Sequence, residues 1–185
     1  SGEQRLADAA SRWWQRFFLD ERTAMAPHLE QAQLVVGGER TDWGVGLIDT
    51  LHLVEVALGA LLLEDVLEPA VREGLQRWFA DYLEWFLTSP KGRDEAEAIN
   101  NHGVAAWVQA AAFARLLGRD DVVAEARRRL VESFLPDQMQ LDGSFPLELR
   151  RTKPYAYSVF QVDLLAQLCQ LTATPEHDVW RAELA

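Results

Sequence analysis

The feature that most constrains this chain is an alternation at helical spacing: stretches that are apolar on every face alternate with stretches that are apolar on one face only. Residues 47–63 are apolar nearly all round, with Asp49, Thr50, His52 and Glu55 as the strongly polar exceptions. A helix of that kind is buried on all sides. The next stretch opens at Glu68-Pro69, the usual place for a helical proline. It carries Val71, Leu75, Trp78, Tyr82, Trp85 and Phe86 on one face, with Arg72, Glu73, Arg77, Asp81 and Glu84 opposite. Residues 104–117 are again almost wholly apolar and stop at Gly118, a favoured residue just past a helix end. Residues 120–134 are one-sided once more, through Val123, Ala126, Leu130 and Phe134, and a last apolar helix spans 158–171. The pattern predicts an all-α fold: antiparallel helical hairpins in two layers, forming an (α/α) toroid or an incomplete arc of one.

The remaining stretches fit around that frame. Residues 4–19 place Leu6, Ala9, Trp13 and Phe17 at helical spacing and read as an amphipathic helix. Residues 20–38 hold no sustained period, contain Pro27 and end in a Gly37-Gly38 turn, and Gly44 and Gly46 break the chain again. Residues 135–154, with Pro136, Asp142-Gly143 and Pro146, read as a long loop with room for a short hairpin. Uninterrupted loops of this length are usually functional. At 185 residues the chain is a single domain, 1–185, or part of one. Its 49% hydrophobic content suffices for one sizeable core, and no apolar run is long enough to span a bilayer. The net charge of −11 argues against a nucleic-acid or anionic-membrane partner. An acidic substrate stays open, because a local basic cluster overrides the global field at short range. The lone Cys169 has no disulfide partner in the chain and is expected to pack as a small hydrophobe.

Chemistry is concentrated in three stretches. Asn100-Asn101-His102-Gly103 heads the second apolar helix, where amides and an imidazole make poor core material. Asn caps helix N-termini well, and the free N–H groups and positive dipole end beside His102 suit a carboxylate. The second stretch is the segment from Asp142 to Thr152, containing Glu148, Arg150 and Arg151, and the third is Tyr155-Ala156-Tyr157-Ser158. Together they supply amides, an imidazole, guanidinium groups and phenols, without a paired-carboxylate set, a metal-ligand spacing or a phosphate loop. No metal and no cofactor are expected. Glu148 is read as fixing its loop by hydrogen bonds, Trp107 and His52 as core residues, and Arg127, Arg128 and Arg129 as a solvated face.

These stretches carry a resemblance. Asn100-Asn101-His102-Gly103, then Pro146-Leu147-Glu148-Leu149-Arg150-Arg151-Thr152, then Tyr157-Ser158-Val159-Phe160, resemble the motifs of the alginate lyase family of polysaccharide lyases, in that family's order. Gly46-Leu47-Ile48-Asp49-Thr50 is similar to its Gly-Ile-Ile-Asp-Thr. Met25, Pro27, Leu29, Ala32 and Gln33 are similar to its Met-Asn-Pro-x-Leu-x-x-Ala-Gln segment. The resemblance covers nearly the whole chain and implies an α/α toroid, of which this is a middle portion. It implies β-elimination on an anionic polysaccharide, with Asn101, His102 and Arg151 holding the uronate carboxylate. Tyr157 then works at C5 or protonates the leaving oxygen, and His102 serves as base for one uronate epimer. Asn100, Arg150, Tyr155 and Gln33 fall where substrate contacts are expected. A polysaccharide substrate favours a periplasmic or secreted location. Ala26, His28 and Gln31 depart from the family's Asn, Asn and Tyr in a segment that lines the sugar cleft, which leaves the polyuronate open. Two other readings stand beside the lyase: a non-catalytic polyuronate-binding relative, and a helical-repeat interaction module. The first two require Asn101, His102, Arg151 and Tyr157 to converge; the third does not.

Overall fold

The structure, a computed structural model, describes residues 2–32 and 46–181. Its centre is α5, Asn101–Leu117, in which residues 104–114 are all buried. Burial on every side is possible because the helix is alanine-rich: Ala105, Ala106, Ala110, Ala111, Ala112 and Ala114 keep its cylinder thin, so neighbours approach closely all round. Gly118 ends it in the left-handed conformation, with φ of 66°, as the sequence predicts.

Four longer helices surround α5. Two are α2, Leu53–Leu62, preceded by a 3₁₀ turn at Leu47–Thr50, and α3, Pro69–Thr88. The others are α6, Asp120–Arg129, and α9, Pro154–Thr172. All four pack on α5. Hydrogen bonds give their directions. Asn101, at the start of α5, meets Glu148 just ahead of α9, while Arg115, near its end, donates to the Leu171 carbonyl near the end of α9. Gln109 donates to the Leu47 carbonyl ahead of α2, and Leu61 near the end of α2 lines a cavity with Arg115. So α2, α5 and α9 run the same way as an inner layer. The hairpin partners α3 and α6 return along the outside. That is the two-layered arc predicted from the alternation.

An aromatic chain joins the layers. Phe18 packs on Trp78 with ring centroids 4.8 Å apart, Trp78 on Phe79 at 5.1 Å, and Phe79 on Phe113 at 4.9 Å. Beside it runs a polar joint. Gln109 bonds Leu47, and the Thr50 hydroxyl lies within hydrogen-bond distance of Gln109 Oε1 and the Tyr82 hydroxyl. Burial raises the Tyr82 phenol to about 12, so it stays protonated. The Gly46–Thr50 motif is thus used to seat α2 against α3 and α5.

Several expectations are corrected. α1, Gly2–Trp14, continues through a π turn at Gln15–Leu19, but its buried face is Ala7, Trp14 and Phe18. Leu6, Trp13 and Phe17, expected inside, are exposed, with Trp13 and Phe17 stacked on each other. α2 is buried through Leu53, Val54, Ala57 and Ala60 rather than all round: Leu62 is exposed, and so is His52, read as a core residue. α9 likewise leaves Val159 and Val162 exposed. The outer helix α6 does not stop at residue 134. A π turn at Leu130–Phe134 leads into α7, Leu135–Gln138. Pro136 enters early in the new turn, where its missing N–H costs least. Beyond it the loop turns at Asp142-Gly143, closed by Gln140 donating to the Ser144 carbonyl, with no strands on either side. The arginine run is not simply a solvated face: Arg128 is, but Arg127 bonds the Thr172 carbonyl and Arg129 lies over the Trp107 ring. Residues 33–45, with the Gly37-Gly38 turn and Gln33, lie outside the described residues. No helix among the described residues is long and apolar enough to cross a membrane.

Candidate active site

The inner helices begin at one end of the arc, and the motif residues gather there. The Asn100 side chain caps α5 by accepting from the His102 N–H at 3.0 Å. One turn of the preceding chain sits directly on the first turn of α5: a Cβ on Gly103 would collide with the Ala98 carbonyl oxygen. Only glycine permits that approach, which explains the fourth residue of Asn-Asn-His-Gly.

Pro146 begins α8, Pro146–Leu149, which delivers Glu148 into the interior. Its carboxylate accepts from the Asn101 backbone N–H at 3.1 Å and from Asn101 Nδ2 at 2.6 Å. One carboxylate therefore satisfies an orphan N–H at the helix start and fixes the Asn101 amide. Glu148 is a structural clamp, as the sequence suggests. Asn101 itself is only 1% exposed. One amide proton faces Glu148, so the carboxylate sets the orientation of the amide.

His102 is partly open, with 36% of its side chain exposed. Its Nδ1 lies 2.8 Å from Oε2 of Glu95, a residue on α4, Pro90–Ala96, that the sequence did not single out. This contact above all holds the imidazole pKa up; burial opposes it, Glu148 adds to it, and the charge of Arg151 pulls it down. The Arg151 guanidinium carbon lies 4.1 Å from the centre of the Tyr157 ring, so the two stack. Guanidinium and phenol are thus in contact, and the charge of the guanidinium is felt at the imidazole, although 55 residues separate His102 from Tyr157.

Arg150 and Tyr155 flank this group and are exposed, Tyr155 at 83%. Asn100 is half-buried by its capping role. Trp107 is core, donating to the Ala96 carbonyl at 3.1 Å. Cys169 is buried, which pushes its thiol up from the ordinary value. Among the described residues no cluster of three or more His, Cys, Asp or Glu is placed to hold a metal ion. Near the start of α2, a hollow of about 300 Å³ is lined by Ala26, His28 and Gln31 together with Thr50, Trp78 and Tyr82. The three positions where the sequence departs from the motif it resembles therefore line one hollow.

Comparison with known proteins bears on the fold and the family. The structure superposes on a crystal structure of an alginate lyase from Bacteroides ovatus with a TM-score of 0.90 and 33% identity. The match covers 98% of this chain and 49% of the other, so the chain spans about half the length of that relative. No curated protein sequence matches it. The sequence matches the alginate lyase family over residues 1–184, nearly its whole length. With the motifs in family order and the helical arc that presents them, this chain belongs to the alginate lyase family.

Proposed function

We propose that this chain cleaves a uronic-acid polymer such as alginate by β-elimination at the N-terminal end of its inner helices. One observation carries the reading. Arg151 stacks on Tyr157 close to His102 and has no carboxylate partner among the described residues, in a protein with 29 acidic side chains. A guanidinium kept clear of carboxylates on an acidic protein is suited to an incoming one, and its planar fork binds that group bidentately.

The chemistry follows from what β-elimination needs. The C5 proton of a uronate is barely acidic while the adjacent carboxylate keeps its charge. Arg151, the His102 ring and the Asn101 amide neutralise that charge, and the positive end of α5 adds to them. This stabilises the enolate-like transition state, the electrostatic contribution that is usually largest. Tyr157, beside the carboxylate site, exchanges protons with the reacting centre. The C5 proton leaves, its electron pair forms the C4–C5 double bond, the C4–O bond breaks, and the leaving oxygen takes a proton. Ala26, His28 and Gln31 would tune which polyuronate fits. A periplasmic or secreted location is part of the same proposal, because that is where such polymers are met.

The test is ultraviolet absorbance of the unsaturated uronate during incubation with polymannuronate, polyguluronate, polyglucuronate and hyaluronan. A rise on one polymer that disappears in His102→Ala supports the proposal and names the substrate. Folded protein that gives no rise on any of them sinks it.

A further inference from the structure

We infer that Glu95 is a positioning residue for this reaction: it holds the His102 ring by Nδ1, so that Nε2 faces the cleft as a hydrogen-bond donor to the uronate carboxylate. The inference rests on the lyase reading of the site and adds to it a residue outside the motifs that support that reading.

The first argument is burial. The chain around Glu95 is densely charged, and Arg93, Asp94 and Glu97 are all exposed. Glu95 alone among these four turns inward, to 7% exposure. Burying a carboxylate is costly unless it is paired and hydrogen-bonded. The partner within reach is His102, at 2.8 Å.

The second argument is rigidity. α4 is capped by Ser89, whose side chain accepts from the Gly92 N–H. The carbonyl next to Glu95, that of Ala96, receives both the Trp107 indole N–H from α5 and the Arg129 guanidinium from α6. Glu95 therefore projects from backbone pinned by two other helices. Those bonds already tie α4 to α5. The Glu95–His102 contact is not needed for that attachment, and it differs in ending on a ring that is partly open.

The third argument is electrostatic. The charged groups facing His102 are Glu95 from α4, Glu148 from α8 and Arg151 from the turn after α8. Glu148 already holds two donors of Asn101, which leaves Glu95 as the carboxylate hydrogen-bonded to the ring. The pairing favours the imidazolium, in agreement with the upward direction of its pKa. A cationic ring with Nδ1–H on Glu95 presents its second N–H outward.

The experiment is a pH titration of the His102 ring nitrogens by NMR in the ¹⁵N-labelled protein, alongside kinetics of Glu95→Gln. The wild-type ring should titrate above the unperturbed value of about 6.5, and Glu95→Gln should lower the midpoint. In kinetics, Glu95→Gln should reduce kcat about 10–100-fold, the usual range for a residue that orients another. It should also move the alkaline loss of activity to lower pH, with partial rescue in Glu95→Asp. In a His102→Gln background, Glu95→Gln should cost little more. An active enzyme whose His102 midpoint is indifferent to Glu95→Gln overturns the positioning role alone. Wild-type protein inactive on every polyuronate, with His102 titrating as expected, removes the reaction and the role with it. If Glu95→Gln does not fold, the wild-type titration decides: a midpoint at or below the unperturbed value overturns the inference.

Discussion

At the C-terminal end of the inner layer, Arg115 and Arg127 each donate Nε to a carbonyl in the last turn of α9, those of Leu171 and Thr172. At the N-terminal end, Arg151 makes no such bond and lies against Tyr157 instead. The chemical setting explains the difference. A helix C-terminus offers unsatisfied carbonyls and a partial negative charge, and arginine is a natural cap there. A helix N-terminus offers N–H groups and positive charge, so a cation placed there gains nothing from the backbone. At this N-terminus Glu148 and Glu95 are already engaged, by Asn101 and His102. Under the proposed function, Arg151 is left for an anion from outside. The far end contains the larger hollow, about 490 Å³, but its lining mixes Arg115 and Arg127 with Asp120 and Glu176. A half-buried guanidinium stacked on a phenol and left without a carboxylate among the described residues, more than the volume, is what the proposed chemistry rests on.

The largest effect should come from Tyr157→Phe, which keeps the ring under Arg151 and removes the hydroxyl. A fall in kcat of about 10²–10⁴-fold with KM nearly unchanged is expected for a lost acid/base group, and unsaturated-uronate absorbance measures it. A KM effect without a kcat effect would make Tyr157 a binding residue and weaken the contrast between the ends. Next is Arg151→Lys, which preserves charge but not the fork or the stacking. We expect kcat/KM to fall about 10–100-fold, equal to roughly 1.4–2.7 kcal/mol in transition-state binding. The mirror experiment at the far end is Arg115→Ala. It should lower stability in urea by about 1–2 kcal/mol through lost carbonyl bonding and leave kcat alone.

The smallest effect is on stability against pH. Because the native His102 pKa is raised, its pairing contributes fully below the unfolded value of about 6.5. That contribution is lost as pH rises through the raised native value. Urea midpoints measured from pH 5.5 to 9 should therefore fall in this window, and Glu95→Gln should flatten that part of the curve. An unchanged slope would mean that the pair adds no pH-linked stability.

How far the molecule was legible from sequence differs by region for physical reasons. α5 was readable because its start, its end and its all-round apolar character agree: Asn100 caps it, Gly118 stops it, and neighbours exist on every side. The helix α1 was readable but its buried face was not, because Trp13-Trp14 and Phe17-Phe18 create two apolar stripes about 100° apart. Periodicity identifies such a helix but does not choose the stripe; the packing of Phe18 on Trp78 does. α2 and α9 were expected to be buried like α5, yet each has exposed apolar residues because neither is packed on every side. Composition records what a helix is able to bury, and its neighbours decide what is buried. At the site, the motif residues His102, Arg151 and Tyr157 were visible through the resemblance to the alginate lyase motifs; taken singly, an arginine there reads as a surface charge and a tyrosine at a helix start as a packing residue. Glu95 was not. It lies in a run of charges indistinguishable from a solvated helix, and only the fold shows that this one carboxylate turns in.

The most direct measurement of the central claim is calorimetric binding of an oligouronate and of the same oligomer with its carboxyl groups reduced to alcohols, each to wild type and to Arg151→Ala. If Arg151 is kept free for a uronate carboxylate, wild type should bind the acid oligomer more tightly than the reduced one. Arg151→Ala should lose most of that preference while binding the reduced oligomer as wild type does. Equal binding of the two oligomers by wild type, or an undiminished preference in Arg151→Ala, would contradict the account.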